Sequence, residues 1–127
     1  MDCEAFDCVK NQWIEIDALT EARSNSGACS IQDKYIYVFG GYQIDHHSGQ
    51  LKMLSSIERY NIELNYWQPL EDIETPYKIC NPICMSLSDQ YIIVFGGARL
   101  QEASQSQDKN TDEDLNMPIV NNRIHML

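Results

Sequence analysis

The sequence has few basic residues: 9 Lys and Arg stand against 19 Asp and Glu, which gives a formal net charge of −10. An acidic surface repels phosphate groups, so nucleic acids and anionic membranes are poor partners for this chain. Long hydrophobic runs are also missing, and no stretch approaches the ~18 consecutive apolar residues of a membrane-spanning helix. We therefore predict a protein that binds neither nucleic acid nor membrane.

The first ten residues, MDCEAFDCVK, lack both the basic segment and the apolar segment of a signal peptide. The chain contains five cysteines, an odd number, and it contains no CxxC pair. Together these features predict reduced thiols and a cytoplasmic location. The spacings of Cys3 with Cys8 and of Cys80 with Cys84 suit zinc poorly. We expect these cysteines to act as small buried hydrophobic side chains.

Glycine is scarce as well, and four of the six glycines lie in two pairs. The segments YIYVFGG (35–41) and YIIVFGG (91–97) are identical at six of seven positions and lie 56 positions apart. Around Trp13 and Trp67, which lie 54 positions apart, EAFDCVKNQWIEI aligns with ERYNIELNYWQPL. The sequence therefore contains an internal repeat. The difference between the two spacings indicates a two-residue insertion or deletion between the tryptophan and the diglycine.

Each repeat is predicted to form four short strands, because β-branched and aromatic residues alternate with turn residues. For the complete repeat we place these strands near residues 26–31, 34–39, 55–61 and 65–70. Gln32 and Asp33 are typical of a hairpin turn between the first two strands. Residues 35–39 are apolar at every position, which predicts a strand buried on both faces.

The glycine pairs and the large aromatic residues are predicted to be structural. Glycine tolerates positive φ and allows another backbone to approach, which suits a sharp exit from a buried strand. Aromatic rings supply large apolar area between neighbouring sheets. The predicted structural residues are Phe6, Trp13, Gly40, Gly41, Tyr60, Trp67, Gly96 and Gly97.

The order of RSNSGAC (23–29), YIYVFGG, IERYN (57–61) and NYW (65–67) resembles the kelch repeat of β-propellers. Such repeats run to about 50 residues and form one four-stranded blade each. The resemblance implies an all-β fold of antiparallel kelch-type blades in an incomplete ring. The second repeat departs from the pattern, since it has Lys78-Ile79 where the family often has arginine, and its tryptophan is not reached.

The resemblance divides the chain into three parts. Residues 1–16 correspond to strands three and four of a first blade, 17–70 to a complete blade, and 71–127 to a partial blade with a flexible insertion at 98–120. Residues 101–118 of this insertion contain no aromatic residue and many Gln, Ser, Asp and Asn. Propellers have ~4 to 8 blades, so we expect a fragment of a longer kelch protein. The alternative is a ring completed by several copies or by another chain.

Function in such propellers usually lies on loops at one mouth of the ring, here residues 17–25, 42–54, 71–81 and 98–120. The resemblance implies that the mouth-facing candidates are Arg23, Ser24, Asn25, Tyr42 and Arg99. Arginine binds carboxylates through two parallel hydrogen bonds, and tyrosine adds rigid contact area. Ordinary solvated loop residues would give the same pattern.

The resemblance implies a non-enzymatic protein-interaction module, such as the substrate-recognition part of a ubiquitin-ligase adaptor or a scaffold. The alternative is a metal-dependent oxidase-like enzyme on the same fold. It would need histidine and tyrosine ligands that converge on the ring centre, a pattern that His46, His47 and His125 do not show. The acidic run at 108–114 lacks the glycine and the glutamate of a calcium loop. We predict no catalytic residue, no metal and no cofactor; the partner, the blade number and any flanking domain stay open.

Overall fold

The computed structural model describes residues 2–99, 119–120 and 124–126. Within them lie antiparallel strands and turns, and no helix that could cross a membrane. The strands, in chain order, are β1 (Cys3–Asp7), β2 (Gln12–Ile16), β3 (Gly27–Ile31), β4 (Tyr35–Phe39), β5 (Tyr42–Ile44), β6 (Leu51–Met53), β7 (Ser56–Asn61), β8 (Tyr66–Glu74), β9 (Ile83–Ser86), β10 (Ile92–Phe95), β11 (Ala98–Arg99), β12 (Ile119–Val120) and β13 (Ile124–Met126). The predicted fold class, all-β with sheets that do not close a ring, is confirmed.

One sheet is a complete four-stranded blade in the order β3-β4-β7-β8. Its strands lie where the sequence predicts them, with one correction: β8 does not end at Leu70 but continues to Glu74. The extension follows from backbone pairing that resumes beyond an irregularity, where β7 moves only from Glu58 to Ser56 while β8 moves from Pro69 to Glu74; next to it the amide of Thr75 donates to the Ser55 carbonyl. Residues 71–74, predicted as loop, are therefore strand.

The turn between β3 and β4 has φ values of +58° at Gln32 and +50° at Asp33. Positive φ at both central residues, together with the hydrogen bond from the Lys34 amide to the Ile31 carbonyl (3.1 Å), is the pattern of a type I′ turn, whose twist matches that of the flanking strands. The predicted hairpin is confirmed. It sets the register in which Ile31 lies opposite Tyr35 and Gly27 opposite Phe39.

Two further sheets are incomplete copies of this blade. The first contains β1 and β2, and the second contains β9, β10 and β13. In the second, Val94 pairs with His125, as Val38 pairs with Glu58 in the complete blade. β13 therefore takes the place of a third strand in this partial blade. Residues 100–118, which hold most of the predicted flexible insertion, lie outside the described residues, and the division of the chain at residues 16 and 70 stays a prediction.

The core lies between two sheets rather than within one. Ile31, Phe39 and Ile57 of the complete blade pack against Ile92 and Val94 of the next. Adjacent sheets are also joined by main-chain hydrogen bonds: the amide of Gly41 donates to the Ile79 carbonyl (2.8 Å), and the amide of Ile79 donates to the Leu54 carbonyl (3.0 Å). Two kinds of contact therefore hold the neighbouring blades together: apolar side chains between the sheets and main-chain hydrogen bonds at the edge of the sheets.

Burial of β4 on both faces holds for only part of the strand. Val38 and Phe39 are buried on opposite faces, whereas Tyr35, Ile36 and Tyr37 are half-buried. These three residues follow the solvent-exposed turn at the rim, so neighbouring sheets cover them incompletely. The prediction is right for the end of β4 that leads into the diglycine and wrong for its beginning.

Both diglycines have the backbone that the sequence predicts. Gly40 and Gly41 have φ of +59° and +96°, and Gly96 and Gly97 have +70° and +76°. A β-carbon on Gly41 would lie 2.6 Å from the Ser24 carbonyl oxygen, closer than real contacts allow. The glycines therefore provide the sharp exit and the close backbone approach together.

Two aromatic pairs occupy equivalent positions in the repeat. Tyr60 and Trp67 have ring centroids 5.1 Å apart, and Phe6 and Trp13 have centroids 5.3 Å apart. The Trp67 indole nitrogen donates to the carbonyl of Asp17 (2.9 Å), which ties this pair to the segment that follows β2. Phe6 and Trp13 are 43% and 66% exposed, because no described strand lies on their side of the first sheet. The prediction of aromatic packing between sheets thus holds for one pair only.

Apolar faces are therefore open at both ends of the described sheets, with Trp13 at one end and Ile83, Met85 and Tyr91 at the other. Such faces favour association. We expect the 127-residue chain by itself to be oligomeric or aggregated, and a longer chain that includes several more blades to be a compact monomer. Size-exclusion chromatography with light scattering measures this. A monodisperse 14.6 kDa monomer with a cooperative melt would contradict the expectation.

The cysteines differ sharply in their surroundings. All five are free; Cys8 is exposed, whereas Cys84 lies at the contact between β9 and β3. Burial, with a smaller effect from Cys29, raises the pKa of Cys84 to about 12. Because the thiolate is the reactive form, we expect Cys84 to be alkylated at least about tenfold more slowly than Cys8 at pH 8. Peptide mass spectrometry after timed iodoacetamide treatment measures the ratio, with the unfolded chain as control; equal rates in the folded chain would refute it.

Candidate functional site

Two equivalent backbone bridges form the edge at which the predicted mouth loops meet. The amide of Ser24 donates to the Tyr42 carbonyl and the amide of Tyr42 to the Ser24 carbonyl, both at 2.9 Å. Cys80 and Ala98, each 56 positions later, exchange the same two hydrogen bonds. The structure therefore brings Ser24 and Tyr42 together at one edge of the blade, and their position at a mouth of the ring stays a prediction.

Arg23 lies beneath this edge, not on it. Its side chain is 1% exposed, and Nη1 donates to the carbonyls of Gly40 (3.0 Å) and Ser56 (2.9 Å). Nη2 donates to Oε1 of Glu58 at 2.8 Å. The guanidinium thus fixes the exit of β4 to the start of β7. The structure assigns Arg23 a positioning role, whereas the sequence places it among the mouth-facing contacts.

Glu58 is a central residue that sequence reasoning missed. Its buried carboxylate accepts hydrogen bonds from the Thr20 amide and hydroxyl (both 2.9 Å), from the Glu21 amide (3.0 Å) and from Arg23. A buried charge is stable only when it is paired and its remaining lone pairs are satisfied. The four donors meet this condition, and they tie residues 17–25 to the sheet. In the sequence, the presence of glutamate at the same position of both repeats, Glu4 and Glu58, is the feature that could have identified this carboxylate.

Glu21 extends the network to the surface. Its carboxylate accepts from the Ser56 hydroxyl (2.5 Å), the Gln43 amide nitrogen (3.3 Å) and Lys52 Nζ (3.4 Å). Burial alone would raise the pKa of Glu21, but the hydrogen bonds from Ser56 and Lys52 and the charges of Lys52 and Arg23 lower it. Its interactions therefore stabilise the fold above the ordinary carboxyl pKa and are lost as the pH falls through the lowered value.

The segment 42–54, predicted as a loop, is a hairpin of β5 and β6. Its turn is ordered by Asp45, whose carboxylate accepts from the amides of His47 (2.8 Å) and Ser48 (3.1 Å). The cross-strand pair Ile44 and Leu51 is 50% and 48% exposed. The hairpin thus presents two apolar side chains on an ordered backbone. The prediction of a loop at residues 42–54 did not include this feature.

Arg99 lies at the same edge in the second repeat, with its guanidinium carbon 5.0 Å from the centre of the Tyr77 ring. This geometry is a cation–π contact. Asn25 has φ of +54° and Asn81 has +52°, so both asparagines turn the chain into the first strand of their blade. The side chains of Ser24 and Asn25 are exposed. Ligand contact by the mouth residues stays a prediction.

Among the residues that the structure describes, no three His, Cys, Asp or Glu side chains are grouped so that they could hold a metal ion. His46 and His47 lie exposed in the turn of the β5–β6 hairpin. The acidic run at 108–114 lies outside the described residues. The expectation that the protein needs no cofactor stays a prediction.

No family model matches the chain. Among curated proteins, it is 32% identical over 82 residues to Kelch-like protein 23 of Homo sapiens, a match that covers 65% of this chain and 14% of that protein. It is 33% identical over 100 residues to Spermatocyte protein spe-26 of Caenorhabditis elegans, covering 77% and 16%. It is 34% identical over 97 residues to Kelch repeat and BTB domain-containing protein 1 of Camelpox virus (strain CMS), covering 73% and 15%.

The chain spans only 14–16% of the length of these relatives. Among solved structures, it resembles that of YjhT with a TM-score of 0.59 and 23% sequence identity. The likeness covers 68% of this chain and 25% of the other, which is a kelch-type propeller. At this identity the likeness shows the fold alone.

Proposed function

This chain belongs to the kelch-repeat β-propeller proteins, and from that premise we propose that it is a non-enzymatic protein-interaction module that contacts its partner through the β5–β6 hairpin. The observation that carries the proposal is the exposed cross-strand pair Ile44 and Leu51. Relatives of this kind are generally interaction modules, which supports the same proposal.

The two faces of the hairpin differ in polarity. Ile44 and Leu51 lie on one face, and the neighbouring cross-strand pair, Gln43 and Lys52, lies on the other face, where both side chains are bonded to Glu21. Protein interfaces use a few apolar anchors of this kind. Burial of one such apolar side chain contributes about 1.5–3 kcal/mol relative to full exposure. A pair held on a rigid hairpin loses little conformational entropy on binding.

The test compares two variants in affinity purification with quantitative mass spectrometry. The double variant I44S/L51S removes the apolar pair, and V9S removes an exposed apolar side chain in the β1–β2 turn, on another sheet. We expect a partner that is retained by wild type and by V9S and is reduced at least about tenfold with I44S/L51S, since two anchors are lost. Melting temperatures of the three proteins must agree. A partner set that is the same for all three would overturn the proposal.

A more specific role follows as a proposal within the longer protein: substrate recognition in a ubiquitin-ligase adaptor. Its support is that one relative is named as a kelch repeat and BTB domain-containing protein. Cellular depletion of the full-length protein should then stabilise the partner that the hairpin retains. An unchanged half-life of that partner would contradict the adaptor role and favour a scaffold role.

We also propose a cytoplasmic location, supported by the five free cysteines. Fluorescence microscopy of the tagged full-length protein tests it, and secretion or membrane staining would refute it.

A further inference from the structure

Glu21 lies at the junction between the buried network and the β5–β6 hairpin. Its backbone is anchored on both sides: the amide donates to Oε1 of Glu58 (3.0 Å), and the carbonyl accepts from Nε of Arg23 (3.3 Å). Both of these partner side chains are buried. The point from which the Glu21 side chain extends is therefore fixed by the interior of the blade.

The two carboxylate oxygens of Glu21 contact different parts of the fold. Oε2 accepts from the Ser56 hydroxyl (2.5 Å) and lies 3.5 Å from Nη2 of Arg23. Oε1 accepts from Gln43 (3.3 Å) and from Lys52 (3.4 Å), which lie directly opposite each other in β5 and β6. One carboxylate thus joins both strands of the hairpin to the four-stranded sheet.

The far part of the hairpin, residues 43–52, depends on this carboxylate for its orientation. The main-chain hydrogen bonds between the hairpin and residues 17–25 end at Tyr42, which exchanges two bonds with Ser24. Beyond that bridge, and within the described residues, the side-chain hydrogen bonds that leave residues 43–52 both end on Glu21. Loss of the carboxylate would therefore release the hairpin while its own cross-strand pairing stays intact.

The second repeat has a contact at the same place with different chemistry. Tyr77 and Arg99 each lie 56 positions after Glu21 and Gln43, and they meet in a cation–π contact of 5.0 Å. The two positions are thus in contact in both repeats, although the residue types differ. The two blades share the contact rather than one particular pair of side chains.

From these observations we infer that Glu21 is a positioning residue for the partner surface of the hairpin, an inference that rests on the proposed function. Gln43 and Lys52 lie on one face of the hairpin, and Ile44 and Leu51 lie on the other. A carboxylate that holds the first face fixes the direction in which the second face presents its apolar pair. A preformed surface loses less conformational entropy on binding than a mobile one. Glu21 therefore raises the affinity for the partner without contacting it.

The experiment compares the full-length protein with its variants E21A and E63A. The first removes the carboxylate and leaves both backbone anchors, and the second removes an exposed carboxylate in the β7–β8 turn. Hydrogen exchange with mass spectrometry measures residues 42–54, and residues 35–39 report on β4 inside the blade. We expect E21A alone to raise exchange of residues 42–54 at least about threefold, since partly exposed ion pairs contribute modestly. Unchanged exchange would overturn the inference, as would an equal rise at residues 35–39.

The double variant E21Y/Q43R copies the pair found in the second repeat. It should recover at least half of the protection that E21A loses, because the contact is restored without the carboxylate. A double variant that exchanges as fast as E21A would also overturn the inference, since any change at position 21 would then disturb the blade.

Affinity purification measures the consequence for binding. The partner that I44S/L51S loses should be reduced at least about threefold by E21A and should be retained by E63A. Faster exchange of residues 42–54 with an unchanged amount of that partner would contradict the inference and leave the proposed function standing. If I44S/L51S loses no partner, the proposed function fails, and hydrogen exchange still decides whether Glu21 positions the hairpin.

Discussion

Replacing Arg23 with methionine is expected to destabilise the protein by about 3–5 kcal/mol. The substitution removes the cation beside Glu58, whose side chain is 1% exposed, and it leaves a buried carboxylate without compensation. It also removes the donor to the carbonyls of Gly40 and Ser56. Urea unfolding followed by tryptophan fluorescence measures the loss.

The matched control is the double variant R23M/E58L. Removal of both charges leaves no unpaired ion, so the double variant should lose less than the sum of R23M and E58L. The protein supplies a natural precedent, because Ile79 and His125 stand at the two positions in the second repeat. An R23M variant within about 1 kcal/mol of wild type would show that the pair is not a structural requirement.

The second large effect is expected for Gly40→Val. The residue has φ of +59°, and a β-carbon there would overlap the carbonyl oxygen of Ile79. Backbone strain and this overlap act together, and we expect a loss of a few kcal/mol. The same unfolding measurement reports it.

Gly96→Val separates the two causes. Gly96 has φ of +70°, similar to that of Gly40, but a β-carbon there meets no atom of the described residues within 4 Å. We expect this variant of the 127-residue chain to lose only the backbone strain, about 1–2 kcal/mol. If both variants lose the same amount, close approach of the next blade does not explain the first diglycine.

The strands could be predicted from sequence because their signals are local. Aromatic and β-branched residues in β3, β4 and β7, a polar turn at residues 32–33 and two glycines at a fixed place are all read within a few positions. Their copy 56 positions later removes most of the remaining ambiguity. The aromatic pairs followed from the same repeat.

The site could be predicted only in part, because its contacts are distant in sequence. Arg23 was placed at the mouth, yet its position inside depends on Glu58, 35 positions away, and on the Gly40 carbonyl, 17 positions away. The β5–β6 hairpin escaped notice because its strands are three residues each. The end of β8 was missed because its pairing resumes only beyond a bulge.

The main-chain hydrogen bonds that join adjacent sheets bear on how such a chain tolerates evolutionary change. Gly41 to Ile79 and Ile79 to Leu54 are contacts between amides and carbonyls, which every residue but proline can make. Substitutions at an exposed position of this segment, such as Lys78, therefore leave the joint between blades intact, whereas the buried side chains of Thr75 and Ile79 limit what can replace them. A single deletion there would instead shift every later donor and acceptor by one place. We therefore expect this segment to tolerate substitution at its exposed positions better than any change of length.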